Sequence, residues 1–430
     1  MARHLRVALA YVKIHIKSRL PADINALATE TGYTWRDRKL SPAVTVWVFL
    51  LQILNGNTAI TALHRLSGIT MQASSYCEAR KRLPLELFAR LFDVMSRAAE
   101  ECVAGVMEVM GSPAHTLLNG RRVLLADATT FCMPDTLALR EHFGYPAGQR
   151  QGLGFPVGKV IGVLDALTGC VLVAMGVPLF THEAREMLAL HPLLKRGDVL
   201  VADRGFCSFV QISLLLEHGV DTVMHLHQRR KTSPMRDWIE TWTRPVKRPE
   251  WMSPALWERI PATIDIRIVR YRVVGRNGHQ KQIYVATTLL DKITYPPELI
   301  QRIYGHRWNI ETCFNQLKTH AKMNTLKCQD VQGVIKELIM FLIVWNLVRM
   351  TMAKFAQQIG VSVWRVSFID TVRALQTLLQ GPQPTEVKLL VNPDRPGRWE
   401  PRKLKRRLKE YDLLTEPRRN LKAKYRARCG

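Results

Sequence analysis

Two aspartates follow apolar runs of the same texture: Asp127 after Val-Leu-Leu-Ala and Asp203 after Val-Leu-Val-Ala. A carboxylate carried out of a buried strand stays fixed by the core while its oxygens face solvent, which suits it to hold a metal ion on a rigid scaffold. Two such strands side by side bring two hard oxygen donors to one point, enough for a divalent cation that keeps waters and substrate phosphate as its other ligands. A third acid, Glu311, lies in the helical segment YGHRWNIETCFNQLK. At 100° per residue from Tyr304, Arg307 falls at about 300°, Glu311 at about 340° and Lys318 at about 320°, one narrow face with Asn315 beside it. Ile310, Phe314 and Leu317 form an adjoining apolar stripe that can pack on a sheet. A cation held by such acids activates an attacking oxygen and stabilises a leaving one at phosphorus. The plainer reading is that each aspartate caps the turn after it, Ala128-Thr129 or Arg204-Gly205, and that Arg307 and Glu311 make an exposed pair worth a few tenths of a kcal/mol.

The elements that would position these residues can be read from the hydrophobic pattern. Up to about Gly111 the chain is helical in period, with turn signals at Leu40–Pro42, Asn55–Asn57 and Leu83–Pro84. Within it Arg80, Lys81 and Arg82 cluster near a helix end, able to meet a phosphate backbone or to form a solvated face. From Arg121 come three β-rich runs, the last two a hairpin around Thr168–Gly169. A helix capped by Thr181, the strand DVLVADR, the helix FVQISLLLEHG and the strand DTVMHLH complete a mixed α/β sheet. Residues 228–292 read as a β-rich insertion, with two strands joined at Arg276-Asn277-Gly278 after a basic segment rich in Pro and Trp. Helices resume at Pro297, and a segment from Arg395 carries fourteen Arg and Lys. The expected division is a helical unit over 1–115, an α/β core over 116–227 and 293–380 interrupted by the insertion over 228–292, and a basic tail over 381–430.

The 430 residues are 47% hydrophobic, enough for a sizeable core, and carry 62 Lys and Arg against 36 Asp and Glu, a net +26. That rules out a disordered chain or a stapled miniature scaffold, and it makes nucleic acid the default partner through counterion release. Eight scattered cysteines without a C-x-x-C pair argue against a zinc site or a disulfide framework and fit reduced thiols in the cytoplasm. Charges interrupt the N-terminal apolar runs, so no signal peptide is expected; VTVWVFLLQIL and LIMFLIVWNLV fall short of the roughly 18 residues of a spanning helix and read as core, with no membrane partner.

Tyr304, Arg307, Glu311 and Lys318, at spacings of three, four and seven and with Asp127 and Asp203 upstream, resemble the DDE transposases of the insertion-sequence-four family, the group named for its Tyr-Arg-Glu-Lys signature. ADATTFCMPD and ADRGF are similar to that family's first and second acidic motifs, and the likeness runs from about Leu124 to Lys318. The resemblance implies a ribonuclease-H-like catalytic core, with Asp127, Asp203 and Glu311 as catalytic metal ligands for Mg²⁺ or Mn²⁺. It implies that Tyr304, Arg307 and Lys318 hold DNA phosphates, and that a homodimer forms on double-stranded DNA to pair two transposon ends. At the strand position where some members stack a flipped base on Trp, this chain has Tyr284, which leaves a hairpin step open; Trp238, Trp242, Trp251 and Trp257 lie upstream and read mainly as packing within the insertion. The expected activity is cleavage of terminal inverted repeats and joining of their 3′-hydroxyl ends to target DNA. A metal-dependent nuclease on the same core and an inactive DNA-binding regulator are the alternatives.

Overall fold

A computed structural model describes residues 20–36, 38–109, 117–118, 120–146, 152–230, 232–274, 280–380, 388–393 and 414–429. The N-terminal run over 1–19, the Arg276-Asn277-Gly278 turn and most of the basic tail lie outside the described residues. Helices come first: α1 (Leu20–Glu30), α2 (Pro42–Leu54), α3 (Leu63–Ser67), α4 (Ala73–Arg82) and α5 (Leu85–Val109). The turn signal at Leu40–Pro42 marks a true helix start, because the Ser41 hydroxyl accepts the Val44 N–H and Pro42 occupies the first turn.

The sheet opens with β1 (Val123–Cys132), then a short α6 (Leu137–Phe143), β2 (Val157–Asp165) and β3 (Val171–Pro178). Next are α7 (Glu183–Met187), β4 (Val199–Ala202), α8 (Phe209–Glu217) and β5 (Asp221–His225). The helix expected from Thr181 is shorter and starts later: His182 is its N-cap, and after Met187 it tightens into a 3-10 turn, Leu188–Leu193, containing Pro192, which has no N–H to continue an α-helix. β1–β2–β3 form an antiparallel meander and β1–β4–β5 a parallel set, giving the order β3-β2-β1-β4-β5 of a ribonuclease-H-like core.

β6 (Asp237–Thr243), α9 (Pro254–Arg259), β7 (Thr263–Val274) and β8 (Gln280–Thr287) follow. The segment read as an insertion is not a separate sheet, for β8 pairs antiparallel with β5 and extends one sheet to eight strands, β3-β2-β1-β4-β5-β8-β7-β6. β6 was hidden in its Pro-rich surroundings, yet it alternates: Trp238 and Trp242 are buried and both donate their indole N–H to Glu240, while Ile239 and Thr241 face out. The chain ends in α10 (Pro297–Gly305), α11 (Arg307–Asn315), a π turn over Gln316–His320, α12 (Val331–Ile359), α13 (Phe368–Gln380) and α14 (Arg418–Cys429).

Two buried clusters sandwich the sheet. Odd positions of β1 and β4, such as Leu125 and Val201, join one cluster with α10, α11, α12 and the N-terminal helices; even positions such as Leu124 and Leu200 join the other with α8 and the tryptophans of β6. The helices before β1 therefore share the catalytic sheet's core rather than building one of their own. α12 is its axis. At 29 residues it is long and apolar enough to cross a membrane by length and composition, yet it is largely buried in this fold. Asn346 both accepts from Val171 N–H and donates to Val171 C=O, at 2.7 Å each, and Trp345 donates to Gly169 C=O at 2.9 Å. Gly169 closes the β2–β3 turn at φ +71°, and a Cβ there would stand 2.6 Å from the Arg349 guanidinium.

Candidate active site

Asp127 does not end β1, which runs on to Cys132 paired with β2 alone because β4 stops at Ala202. The register pairs Ala126 with Ala202 and Ala202 with Met224, so Asp127, Asp203 and His225 occupy the next rung of three parallel strands. By strand alternation both aspartates lie on the face covered by α10 to α12. The cap reading survives only in part: Asp127 Oδ1 accepts the Ala128 N–H at 2.8 Å. Burial pushes the Asp127 carboxyl up to about 6, opposed by that N–H and by the Arg307 charge, and raised further by Asp203 and Glu183.

The helix above holds the other signature residues. Ile310, Cys313, Phe314 and Leu317 are buried against the sheet as the apolar stripe required. Arg307 is 7% exposed; it lies 2.8 Å from Glu311, 4.5 Å from the Trp308 ring centroid and 5.9 Å from that of Tyr304, and its Nε has no hydrogen-bond partner among the described residues. Tyr304 is buried 6.1 Å from the His225 ring, and burial raises its phenol. A continuous helix does not survive: the segment breaks at His306 and passes into the π turn that carries Lys318, so uniform 100° steps do not place that lysine. Lys318 instead donates to Thr130 of β1 at 3.4 Å, and burial lowers its ammonium.

Asp127, Asp203, Tyr304, Arg307 and Glu311 are thus gathered, with Lys318 reaching β1 three residues further on, at Thr130. Among the described residues no three His, Cys, Asp or Glu side chains converge as a metal cluster, Glu311 being engaged by Arg307. The donor set still fits a hard divalent ion: two carboxylates on one rung reached by no salt bridge among the described residues, with a third carboxylate one ion pair away.

Other sites expected from sequence fall elsewhere. Tyr284 is in the far cluster, edge-on to Trp238 at 6.4 Å, with its hydroxyl on Gln282. On the near face its counterpart is Tyr271, whose phenol burial pushes up to about 12. Arg80 turns inward, donating to Gln52 at 3.2 Å and lying 4.7 Å from the Phe49 ring, whereas Lys81 and Arg82 are exposed. Of the insertion tryptophans, Trp238 and Trp242 are buried, Arg244 lies 5.2 Å from the Trp257 ring, and Trp251 is exposed. Cys207 and Cys313 are buried thiols pushed up to about 11, unsuited to nucleophilic chemistry.

Sequence reasoning missed His225, Tyr271 and Glu183. His225 ends a strand in the way Asp203 does, and extending the strand-end argument to DTVMHLH would have found it. Glu183, in the first turn of α7, pairs with Lys159 at 3.0 Å and still acts on Asp127.

Sheet order and flanking helices define a ribonuclease-H-like α/β protein. Residues 118–347 match the family model described as Transposase DDE domain, over more than half the chain, and the chain belongs to that family. It is a DNA transposase, an enzyme of DNA cleavage and strand transfer that works with divalent metal ions; neither the simple nuclease nor the inactive regulator is favoured. The chain is 24% identical over 403 residues to Transposase InsG for insertion sequence element IS4 of Escherichia coli (strain K12), covering 86% of this chain and 84% of that one. Among solved structures it is similar to the piggyBac transposase in its synaptic complex with hairpin DNA, with 10% identity and a TM-score of 0.45 over 87% of this chain and 80% of that chain.

Proposed function

We propose that Asp127, Asp203 and Glu311 are the metal-binding triad of a transposase that cleaves the terminal inverted repeats of its own insertion sequence and joins the freed 3′-hydroxyl ends to target DNA. The observation that carries this is the pair of aspartates on one rung of β1 and β4, beneath the helix bearing Arg307 and Glu311. Bound Mg²⁺ or Mn²⁺ would polarise the scissile phosphate and lower the pKa of the attacking water. The chain's own residues hold the substrate. Arg307, buried with one N–H free, meets a non-bridging phosphate oxygen as a planar fork, and Lys318 adds a point charge along β1. Tyr304 is packed where it fixes the Arg307 plane. Water oxygen attacks phosphorus, the bond to the 3′-oxygen breaks, and that oxygen leaves as a hydroxyl; the hydroxyl then attacks a target phosphate, displacing a second 3′-oxygen. No covalent protein–DNA bond is needed.

Pairing two ends calls for a homodimer on DNA, acting in the cytoplasm at the nucleoid. The test is Asp127→Asn: the variant retains duplex binding and loses strand cleavage in Mg²⁺, and robust cleavage rejects the triad. A pre-cleaved 3′-hydroxyl end joined to a plasmid separates transposition from plain nicking.

A further inference from the structure

β1 is anchored unevenly along its length. As far as Ala126 it lies between β2 and β4, but from Asp127 to Cys132 β2 is its one strand partner. A strand freed on one side frays unless something covers its open edge. The segment just past the π turn does so: Cys132 N–H donates to Asn324 C=O and Leu326 N–H to Cys132 C=O, at 2.9 Å each, in a parallel bridge of Cys132 with Thr325. Between the π turn and that bridge Lys322 stands at φ +66°, a conformation that a non-glycine residue keeps only where its surroundings impose it. Lys318 is therefore tied to β1 twice, through its own bond to Thr130 and through the bridge that follows its turn. Where the exit of β1 stands, Lys318 stands.

That exit is pinned by Asp135. Only 5% of its side chain is exposed, and it meets Arg140 Nε at 3.2 Å, the Tyr145 hydroxyl, and Nη1 of Arg418 at 2.7 Å. Arg418 opens α14. It also donates to the carbonyls of Gly152 and Gly154, at 3.2 and 2.8 Å, and its guanidinium lies 4.6 Å from the Phe155 ring centroid; just before the helix, Leu414 N–H donates to Leu153 C=O at 2.9 Å. Neither buried cluster contains a described residue of α14, so apolar burial does not seat this helix. One arginine does, joining the exit of β1 to the loop that leads into β2. Desolvation offsets most of a buried ion pair's attraction, so what such a pair contributes here is a fixed position. We infer that Arg418 is a positioning residue for strand cleavage, a clasp that holds the exit of β1 and thereby sets where the Lys318 ammonium stands relative to Asp127 and Asp203. The inference rests on the proposed role of Lys318 at the DNA phosphate. Arg418 touches no reacting atom; it acts because a displacement of about 1 Å at a reacting centre costs roughly 10²-fold in rate.

The experiment uses the full chain. Amide exchange in metal-free protein without DNA reads the clasp: in Arg418→Ala the amides of Cys132 and Leu326 should exchange on the order of tenfold faster, while those of Val201 and Val223 and the urea midpoint keep their wild-type values. Cleavage at saturating duplex in Mg²⁺ reads the consequence. Arg418→Ala should slow it by roughly 10- to 100-fold, with affinity and salt slope in EDTA unchanged. In a Lys318→Ala background the same change should alter the rate by no more than about twofold, since no ammonium is left to misplace; a merely structural role costs the same factor in both backgrounds. Should Arg418→Ala fail to fold, Arg418→Lys, which keeps the charge at Asp135 but not the fork to two carbonyls, is read in the same way. Wild-type exchange at Cys132 and Leu326 overturns the clasp. So does an equal loss of rate in both backgrounds, or an unchanged rate at saturation with weaker duplex binding and a lower salt slope, which would make α14 a grip on DNA instead. If Lys318→Ala itself cleaves like the wild type, the reading of the site falls, and with it the catalytic consequence of the clasp, whatever the exchange shows.

Discussion

The two ends of β1, β4 and β5 carry the same residue type and treat it oppositely. At the N-terminal ends, Asp198 accepts Arg122 Nε at 2.8 Å and Nη2 at 2.7 Å, while Asp221 accepts Arg121 at 2.5 Å and the Thr288 hydroxyl at 2.7 Å. Glu100 joins the same cluster through Arg122 and Lys195, at 2.8 Å each. Just past the other end of the β1–β4 pairing, Asp127 and Asp203 have no salt bridge among the described residues, and Asp127 is pushed up to about 6. The scaffold itself is shared, since the same strands fix both sets. What differs is whether the fold supplies the positive charge. Where it does, the acids hold strands together; where it withholds it, the acids stay open to the cation that the proposed triad would bind.

Removing a carboxylate from each end tests that contrast, and the catalytic end should show the larger effect. Asp203→Asn should cut metal-dependent cleavage by on the order of 10³-fold, well beyond the roughly 10- to 100-fold that losing a supporting hydrogen bond costs a metal site, while duplex binding in EDTA is unchanged. Cleavage within tenfold of wild type would mean that Asp203 is not a ligand. At the opposite end, Arg122→Ala leaves Asp198, with only 4% of its side chain exposed, without its fork, and should lower stability by about 3 kcal/mol, read from urea unfolding. An unchanged urea midpoint would show the N-terminal cluster to be dispensable and erase the contrast.

A smaller effect has the reverse sign. The fold holds the Asp127 carboxyl near 6, above its ordinary 3.8, so the native state prefers it protonated and wild-type stability falls as pH rises through that interval. Asp127→Asn removes the penalty. The variant should be more stable than wild type at pH 7 by on the order of 1 kcal/mol, with the difference shrinking to nothing as pH falls from about 6 to about 4. Thermal unfolding at pH 7 and pH 4 measures it; a variant less stable than wild type at pH 7 would place Asp127 among the structural acids.

Much of this was legible in the sequence for physical reasons. The VLLAD and VLVAD runs betray buried strands because a strand covered on both faces must be apolar throughout, and the acid after each is what the core cannot absorb. The α11 stripe was legible because packing enforces its period. Three things were not. β6 is short and alternates within Pro-rich sequence. The π turn at Gln316–His320 defeats any fixed angle per residue. The inward turn of Arg80 depends on Gln52, Phe49 and Cys328, partners distant in sequence that no local pattern announces. His225 was missed for a different reason: the strand-end rule that found Asp203 applied to it and was used only for acids.

The smallest expected effect addresses why Asp127 is raised at all. Burial is the main cause, but Glu183 reaches it from α7 while paired with Lys159, so part of the shift is repulsion between two anions on neighbouring elements. Two unit charges about 6 Å apart in water-like surroundings repel by about 0.7 kcal/mol, equivalent to roughly half a pH unit. Glu183→Gln removes that repulsion and also frees the Lys159 ammonium, and both changes favour the ionised aspartate. The Asp127 midpoint, followed by carboxyl-carbon NMR in metal-free protein, should therefore move down by roughly half a pH unit. A midpoint that stays near 6 would leave burial and Asp203 alone as the cause, narrowing the difference between the two strand ends to solvent access and the partner aspartate. A midpoint that rises would mean that Glu183 had held the Lys159 ammonium close to Asp127, so that losing the pair lets a cation move away, and the acidic end would then hold a fixed cation after all.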